Sequence, residues 1–157
     1  SAAAVLEDVS SNASGLPMAK AALLLGNIKF QRGDYDGAGT LYQKAIDGGG
    51  SAVLVVSAAE HGLASVAMEQ KNYPLAIERL EKFVKKYGKR SGNLQDRLTQ
   101  KEEIDLVVTV PDALWKLTLC YAEQQKVEQA RDTAERLIKV YGQSRQAVSA
   151  KKFLATL

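Results

Sequence analysis

The chain has one cysteine, one histidine and three prolines among its 157 residues. A lone Cys120 cannot close an internal disulfide, and its apolar neighbourhood, WKLTLCYA at 115–122, predicts a buried small hydrophobe. One cysteine and one histidine, His61, cannot supply the several soft ligands of a zinc site. So few prolines leave room for long helices. No Gly-x-Ser-x-Gly pattern offers a nucleophile, and GNIKFQRG lacks the Gly-Lys-Ser/Thr ending of a phosphate loop. Gly48-Gly49-Gly50 leads into a helix with no strand before it. Catalysis is therefore not expected, and no cofactor is. The longest apolar runs, such as AVLVVSAA at 52–59, fall far short of the roughly 20 residues that span a bilayer.

Charge is scarce in the net. Lys and Arg number 21 against 18 Asp and Glu, for a formal charge of +3. One basic cluster stands out: Lys82, Lys85, Lys86, Lys89 and Arg90. Its only interleaved aromatics, Phe83 and Tyr87, fall on helix-core spacing, so the cluster reads as the solvated end of a helix and nucleic acid is not an expected partner. The acidic Glu102, Glu103 and Asp105 read as a solvated helix face. With 46% apolar and 25% charged residues, the composition is that of an ordinary folded protein, and the length suits a single domain over 1–157. The opening SAAAVLEDV reads as helix rather than as a signal peptide. The expectation is a fragment cut from a longer protein whose anchor or signal lies upstream.

What the chain does have is internal repetition. GDYDGAGTLYQKAI (33–46), KNYPLAIERLEKFV (71–84) and QKVEQARDTAERLI (125–138) superpose Tyr35, Tyr73 and Val127, then Ala38, Ala76 and Ala130. The same register superposes Tyr42, Leu80 and Ala134, then Ala45, Phe83 and Leu137. Each copy follows an apolar stretch: LLLGNIKF (23–30), HGLASVAM (61–68) and WKLTLCYA (115–122). Each unit is thus two amphipathic helices with a short turn between them. Small residues, Gly26 or Ala64 on the first helix and the repeated alanine on the second, predict close backbone approach, with Leu25, Leu63 and Leu117 filling the seam. A single helix pair cannot bury that seam, so pairs must stack. The expected architecture is an all-α solenoid of three helix hairpins, about 19–50, 57–88 and 111–142. A half-unit helix at 2–10 precedes them, and a capping helix at 144–157 follows, apolar through Ala147, Ala150, Phe153, Leu154 and Leu157.

The three alanines are 38 and 54 residues apart. The first excess predicts an extra turn on a helix opening at Ser51. The second is an insert at 89–110: a loop, a short helix from Leu94 to Asp105, and the apolar run Leu106 to Val110, expected to be extended because Pro111 follows. That run either covers the repeat's own core or forms a homodimer contact.

These units resemble the tetratricopeptide repeat, whose unit of roughly 34 residues carries a large residue, Leu, Gly, aromatics and Ala at fixed spacing. The first unit carries Leu25, Gly26, Ala38, Tyr42 and Ala45 with the Gly33-Asp34-Tyr35 turn, and departs at Lys29, where an aromatic is usual. The second carries Leu63, Ala64, Ala76, Leu80 and Phe83. The third carries Leu114, Leu117, Tyr121, Ala130 and Leu137. Gly50, Gly88 and Gly142 stand where the family has its terminal proline.

The resemblance implies a partner protein or peptide laid along the first helices. By position it nominates Lys20, Leu23, Asn27, Phe30 and Gln31 from the first unit. From the second come His61, Ser65 and Met68, with Glu69 at the edge. From the third come Trp115 and Leu119, with Glu123 at the edge; Trp115 is the expected anchor, packing against the insert being its alternative. The lysine of the family's chaperone-tail clamp is replaced by Leu23, so that clamp is not expected. The phrases VKKYGKRS and IKVYGQSRQAVSAKKFLATL are similar to envelope-facing repeat proteins of bacteria, the outer-membrane assembly lipoproteins and the anchored ancillary subunit of the Sec translocon. With the opening LEDVSSNASGLPMAKAALLLGNIKFQRGDYDGA, they imply a periplasmic setting, tethered by an anchor outside this stretch, with no direct membrane insertion by the stretch itself.

The stretch QRGDYDGA also admits an adhesion tripeptide and a calcium loop. A calcium loop needs oxygen ligands where Ala38 and Ala45 stand, so it is excluded. The parallel positions QKNYPLA and QQKVEQA share only a turn, which predicts that Gly33 ends one helix and Asp34 caps the next.

Overall fold

The computed structural model describes the backbone of residues 1–88 and 100–157, and the side chains of 1–88 and 109–157. Among the described residues every regular element is a helix: α1 (Ala2–Asn12), α2 (Gly15–Gln31), α3 (Tyr35–Gly48), α4 (Val53–Glu69), α5 (Tyr73–Tyr87), α6 (Gln100–Glu123), α7 (Val127–Val140) and α8 (Arg145–Leu154). The all-α class expected from the periodicity is what forms. The helices divide into two compact units, Ser1–Lys71 and Asn72–Leu157.

Three turns follow the same design. Gly33, Lys71 and Gln125, which are equivalent in the repeat, all take positive φ, at 81°, 59° and 58°. After α2, the Asp34 amide donates to the Lys29 carbonyl at 2.9 Å and the Gly33 amide to that of Phe30 at 3.0 Å. After α6, Lys126 and Gln125 make the same pair of bonds to Tyr121 and Ala122, both at 2.9 Å. This is the paired closure that satisfies orphan carbonyls at a helix end. Glycine adopts the left-handed turn freely, whereas Lys71 and Gln125 hold it against a Cβ clash. The next helix is then capped: Asp34 accepts from the Gly37 amide at 2.9 Å and Asn72 from that of Leu75 at 3.4 Å. Lys126 in the third turn makes no side-chain cap.

In the first unit, successive helices from α1 to α4 pack in order, and α2 also touches α4. The core is built from small residues, Ala22, Ala38, Ala45 and Ala59, around Tyr42 and Val66. Tyr42 explains why glycines stand beside it. A Cβ added to Gly26 would lie 2.9 Å from the ring's Cε1, and one on Gly62 would lie 2.7 Å from Cε2. One aromatic therefore fills the space that two glycines, on α2 and α4, leave open. Gly26 was expected to permit close approach; Gly62 carries the same role on α4. At the edge of the unit, the Lys44 ammonium donates to the Ser10 carbonyl in the last turns of α1, where the helix dipole favours a cation. The Gln70 amide donates to Asp36 at 2.7 Å.

In the second unit α6 packs on α5, α7 and α8, and α7 packs on α8. Phe83, Leu80, Leu114, Leu137, Thr118 and Cys120 are among its largest fully buried side chains. The repeat alignment accounts for much of this: Ala76 and Ala130 are buried, as are Leu80, Ala134, Phe83 and Leu137. Ala147 and Ala150 of α8 are buried too, so the last helix seals α6 and α7 as expected of a cap.

Three expectations need correction. The run Leu106 to Val110 is helical, because α6 continues through Pro111. The proline rule is local, and here it is outweighed by packing: Val110 and Pro111 both lie fully buried among the residues of the second unit. A dimer contact through Val110 is accordingly not available; the side chains of 106–108 lie outside the described residues, as do the loop at 89 and the start of the short helix expected from Leu94. Second, α4 opens at Val53 rather than Ser51. Third, α2 begins at Gly15, one turn before the expected start at Ala19.

Candidate functional site

On α2 the nominated residues recur at helical spacing, which puts them along one side of the helix. They divide by burial. Lys20, Asn27 and Gln31 are exposed, whereas Leu23 and Phe30 are half-buried against the core cluster. Phe30 meets Tyr35 edge-on, with ring centroids 5.2 Å apart. On α4, His61 and Met68 are half-buried and Ser65 is buried, its hydroxyl donating to the His61 carbonyl at 3.0 Å. That bond occupies the Ser65 hydroxyl within its own helix. The two helices touch, so both sets of residues belong to one compact unit.

Asn27 is the residue of this row with a tie to the core. The Tyr42 hydroxyl, coming from α3, donates to its side-chain oxygen at 2.8 Å. Burial pushes the Tyr42 phenol up to about 12, so it remains a donor at neutral pH. With its oxygen engaged by Tyr42, exposed Asn27 keeps two amide N–H donors for another partner.

In the second unit, Trp115 and Leu119 sit one turn apart on α6, both half-buried. The Trp115 ring packs edge-on against Phe153 of α8, centroids 6.2 Å apart, so its described neighbour is the capping helix. Lys116 beside it pairs with Asp112 at 2.9 Å along the same helix.

The same unit contains a feature the sequence did not point to. An open hollow of about 440 Å³ is formed where α5, α6 and α7 converge. Val84 and Leu117 give it apolar wall, Lys85 and Arg136 give it cations, and Thr133 and Tyr121 add hydroxyls. The Tyr121 hydroxyl donates to the Glu81 carboxylate, and burial, followed by that bond, raises its pKa. Tyr121 was visible as a repeat position and Lys85 as part of the basic cluster, but Glu81 was not singled out, and nothing in the sequence joins residues 40 apart.

Among the described residues no group of three or more His, Cys, Asp or Glu side chains is arranged to hold a metal. No described helix is long and apolar enough to cross a membrane. Cys120 is buried, as expected, and desolvation pushes its thiol up to about 11, away from the reactive range.

Comparison with known families decides the class. Residues 1–52 match one tetratricopeptide repeat model, and residues 58–89 and 112–144 match another. The chain belongs to the tetratricopeptide repeat family. The match over 1–52 takes in α1 with α2 and α3, so the first helix is part of the repeat pattern. Tetratricopeptide repeats generally mediate protein–protein interaction and are typically non-catalytic scaffolds. No curated protein and no solved structure matches the chain.

Proposed function

We propose that this tetratricopeptide repeat chain is a non-catalytic scaffold that binds a peptide or helix of a partner protein along α2 and α4 of its first unit. The observation that carries the reading is Asn27: exposed on α2, and oriented from beneath by the Tyr42 hydroxyl at 2.8 Å. A preset amide donor suits a carbonyl of a partner backbone, because little side-chain freedom is lost on binding. Lys20 and Gln31 extend the polar row on either side, and Leu23, Phe30, His61 and Met68 offer half-buried apolar and aromatic surface next to it. Ser65 lies among them with its hydroxyl proton given to the His61 carbonyl. In the second unit Trp115 and Leu119 form a separate contact patch, stiffened by Phe153.

The finer proposal, a partner in protein secretion or envelope assembly at the bacterial cell envelope, rests on the phrases VKKYGKRS and IKVYGQSRQ at the repeat boundaries. Photo-crosslinking in bacterial cells tests both parts. A photoreactive residue at Lys20 or Gln31 is expected to capture one envelope protein in high yield. The same residue at Gln43, exposed on α3, is expected to capture little of it. Equal capture from Gln43 would remove the α2–α4 face, and a purely cytosolic partner would remove the envelope assignment.

A further inference from the structure

Charge is unevenly placed along the chain. Five of its 21 Lys and Arg, namely Arg136, Lys139, Arg145, Lys151 and Lys152, fall in residues 136–157, where none of its 18 Asp and Glu stands. The formal excess of +3 therefore comes from this stretch, and the rest of the chain is slightly acidic. Three of the five cations are on α8, whose inner side, Ala147 and Ala150, is buried in the second unit. At 3.6 residues per turn, Arg145, Val148, Lys151 and Lys152 share an arc of about 120° on the side away from those alanines. All four are exposed, Val148 to 53%.

Three features set this face apart from an ordinary solvated one. Among the described residues none of its cations has an ion-pair partner, whereas Lys29, Lys82, Lys116 and Arg131 each have one. Lys151 and Lys152 in the last turn suit the helix dipole, but Arg145 stands in the first turn, where a cation is disfavoured. Its own helix does not account for it. Lastly, an exposed aliphatic side chain, Val148, sits in the middle of the charges.

We propose that the outer face of α8 docks an acidic amphipathic helix of a partner protein. Two carboxylates seven residues apart on the partner meet Arg145 and Lys152, which are themselves about 10 Å apart along the axis. An apolar residue between the carboxylates packs on Val148. Complementary charge of this kind steers the partner and fixes its register. A lipid surface is the poorer fit, because a helix held at an interface needs a broad apolar face and the apolar side of α8 is buried in the fold. A nucleic acid is poorer too: the one aromatic of α8, Phe153, is half-buried and packed edge-on against Trp115 rather than open for stacking.

The test is a titration of the full isotope-labelled chain, followed by amide chemical shifts, with an acetylated and amidated alanine-based peptide of about 18 residues, long enough to be helical. It carries two glutamates seven residues apart and a leucine between them on the same face. Saturable shifts are expected at Arg145, Val148, Lys151 and Lys152. The glutamine version of the peptide should bind about tenfold more weakly or worse, as the loss of two exposed ion pairs implies. Arg145→Gln and Lys152→Gln should each weaken the glutamate peptide by about three- to fivefold, and Arg145→Glu combined with Lys152→Glu should abolish binding. Lys82→Gln, on α5 and paired with Glu78 at 3.1 Å, should change nothing. Equal binding of the two peptides, equal binding of a version with its leucine on the opposite face, no saturable shift, or shifts confined to other surfaces would overturn the site. Sedimentation with phosphatidylglycerol vesicles that is lost in the double Glu variant, without binding of the peptide, would assign the face to lipid and overturn the protein partner. The α2–α4 proposal stands or falls separately, since none of its residues is changed.

Discussion

The hydroxyl of Tyr42, a core residue of α3, donates to Asn27, an exposed residue of α2, across 2.8 Å. The ring above it is clasped by Gly26 and Gly62, so the position of one buried aromatic sets the orientation of one surface amide. Replacing Tyr42 with Phe keeps the packing and removes the bond. Urea unfolding should show a loss of about 0.5–1.5 kcal/mol, the usual net worth of one hydrogen bond. No loss would mean that water already serves Asn27 equally well.

Glycine to alanine in a helix interior ordinarily stabilises by about 0.5–1 kcal/mol. At Gly62 the added Cβ meets the Tyr42 ring at 2.7 Å, with backbone on one side and a packed aromatic on the other. Gly62→Ala is therefore expected to destabilise by about 1–3 kcal/mol, as overpacking does. The sign is the test. In a Tyr42→Leu background the penalty should shrink or reverse, because the two sites share one space.

The turns make a paired prediction. Lys71 and Gln125 hold φ of 59° and 58°, where a Cβ costs about 1–2 kcal/mol. Part of that is returned by the lower unfolded-state entropy of a non-glycine residue. Lys71→Gly and Gln125→Gly should each raise stability by up to about 1 kcal/mol, and Gly33→Ala should lower it. Thermal melts of the three variants, ordered the other way, would contradict the equivalence of these turns.

Stability should fall at both ends of the pH scale for identifiable reasons. The Gly37 amide, and then Lys29, hold the Asp34 carboxyl below its ordinary value of 3.8. Its contribution is present above that value and is lost as pH falls through the lowered one. Asp34→Asn keeps a capping oxygen and should flatten this acid limb. At alkaline pH the sign reverses. Burial lifts Cys120 from 9.0 to about 11, so the unfolded thiol ionises first, and stability declines as pH rises from about 9 to about 11. Cys120→Ala should remove that part of the alkaline decline. Iodoacetamide should label the wild-type thiol only as fast as the fold opens.

Much of the fold was legible because it repeats. Ala38, Ala76 and Ala130 recur with their neighbours in register, and a pattern seen three times outweighs the noise of any one copy. Asp34 was legible as a cap because capping is a local rule. Pro111 was misread for the complementary reason: the rule that unwinds the residue before a proline is also local, and the burial of Val110 and Pro111 overrides it. Gly62 was missed because its partner, Tyr42, stands on another helix. The nominated face was only partly separable into core and surface. Leu23 and Phe30 differ from Lys20 and Gln31 by a fraction of a turn, and helical spacing alone does not say which side of that boundary each falls on. The hollow at Glu81, Leu117 and Arg136 draws on three helices, and no repeat position marks it.

A partner gripped through the amide of Asn27 should be lost in Asn27→Asp. The change is nearly isosteric and leaves an oxygen for Tyr42, but turns the amide donor into an anionic acceptor. Affinity for the crosslinked partner, measured by calorimetry on wild type, Asn27→Asp and the exposed α3 control Gln43→Ala, should fall at least about tenfold for Asn27→Asp alone. Unchanged affinity in Asn27→Asp, with the fold intact by circular dichroism, would contradict the account.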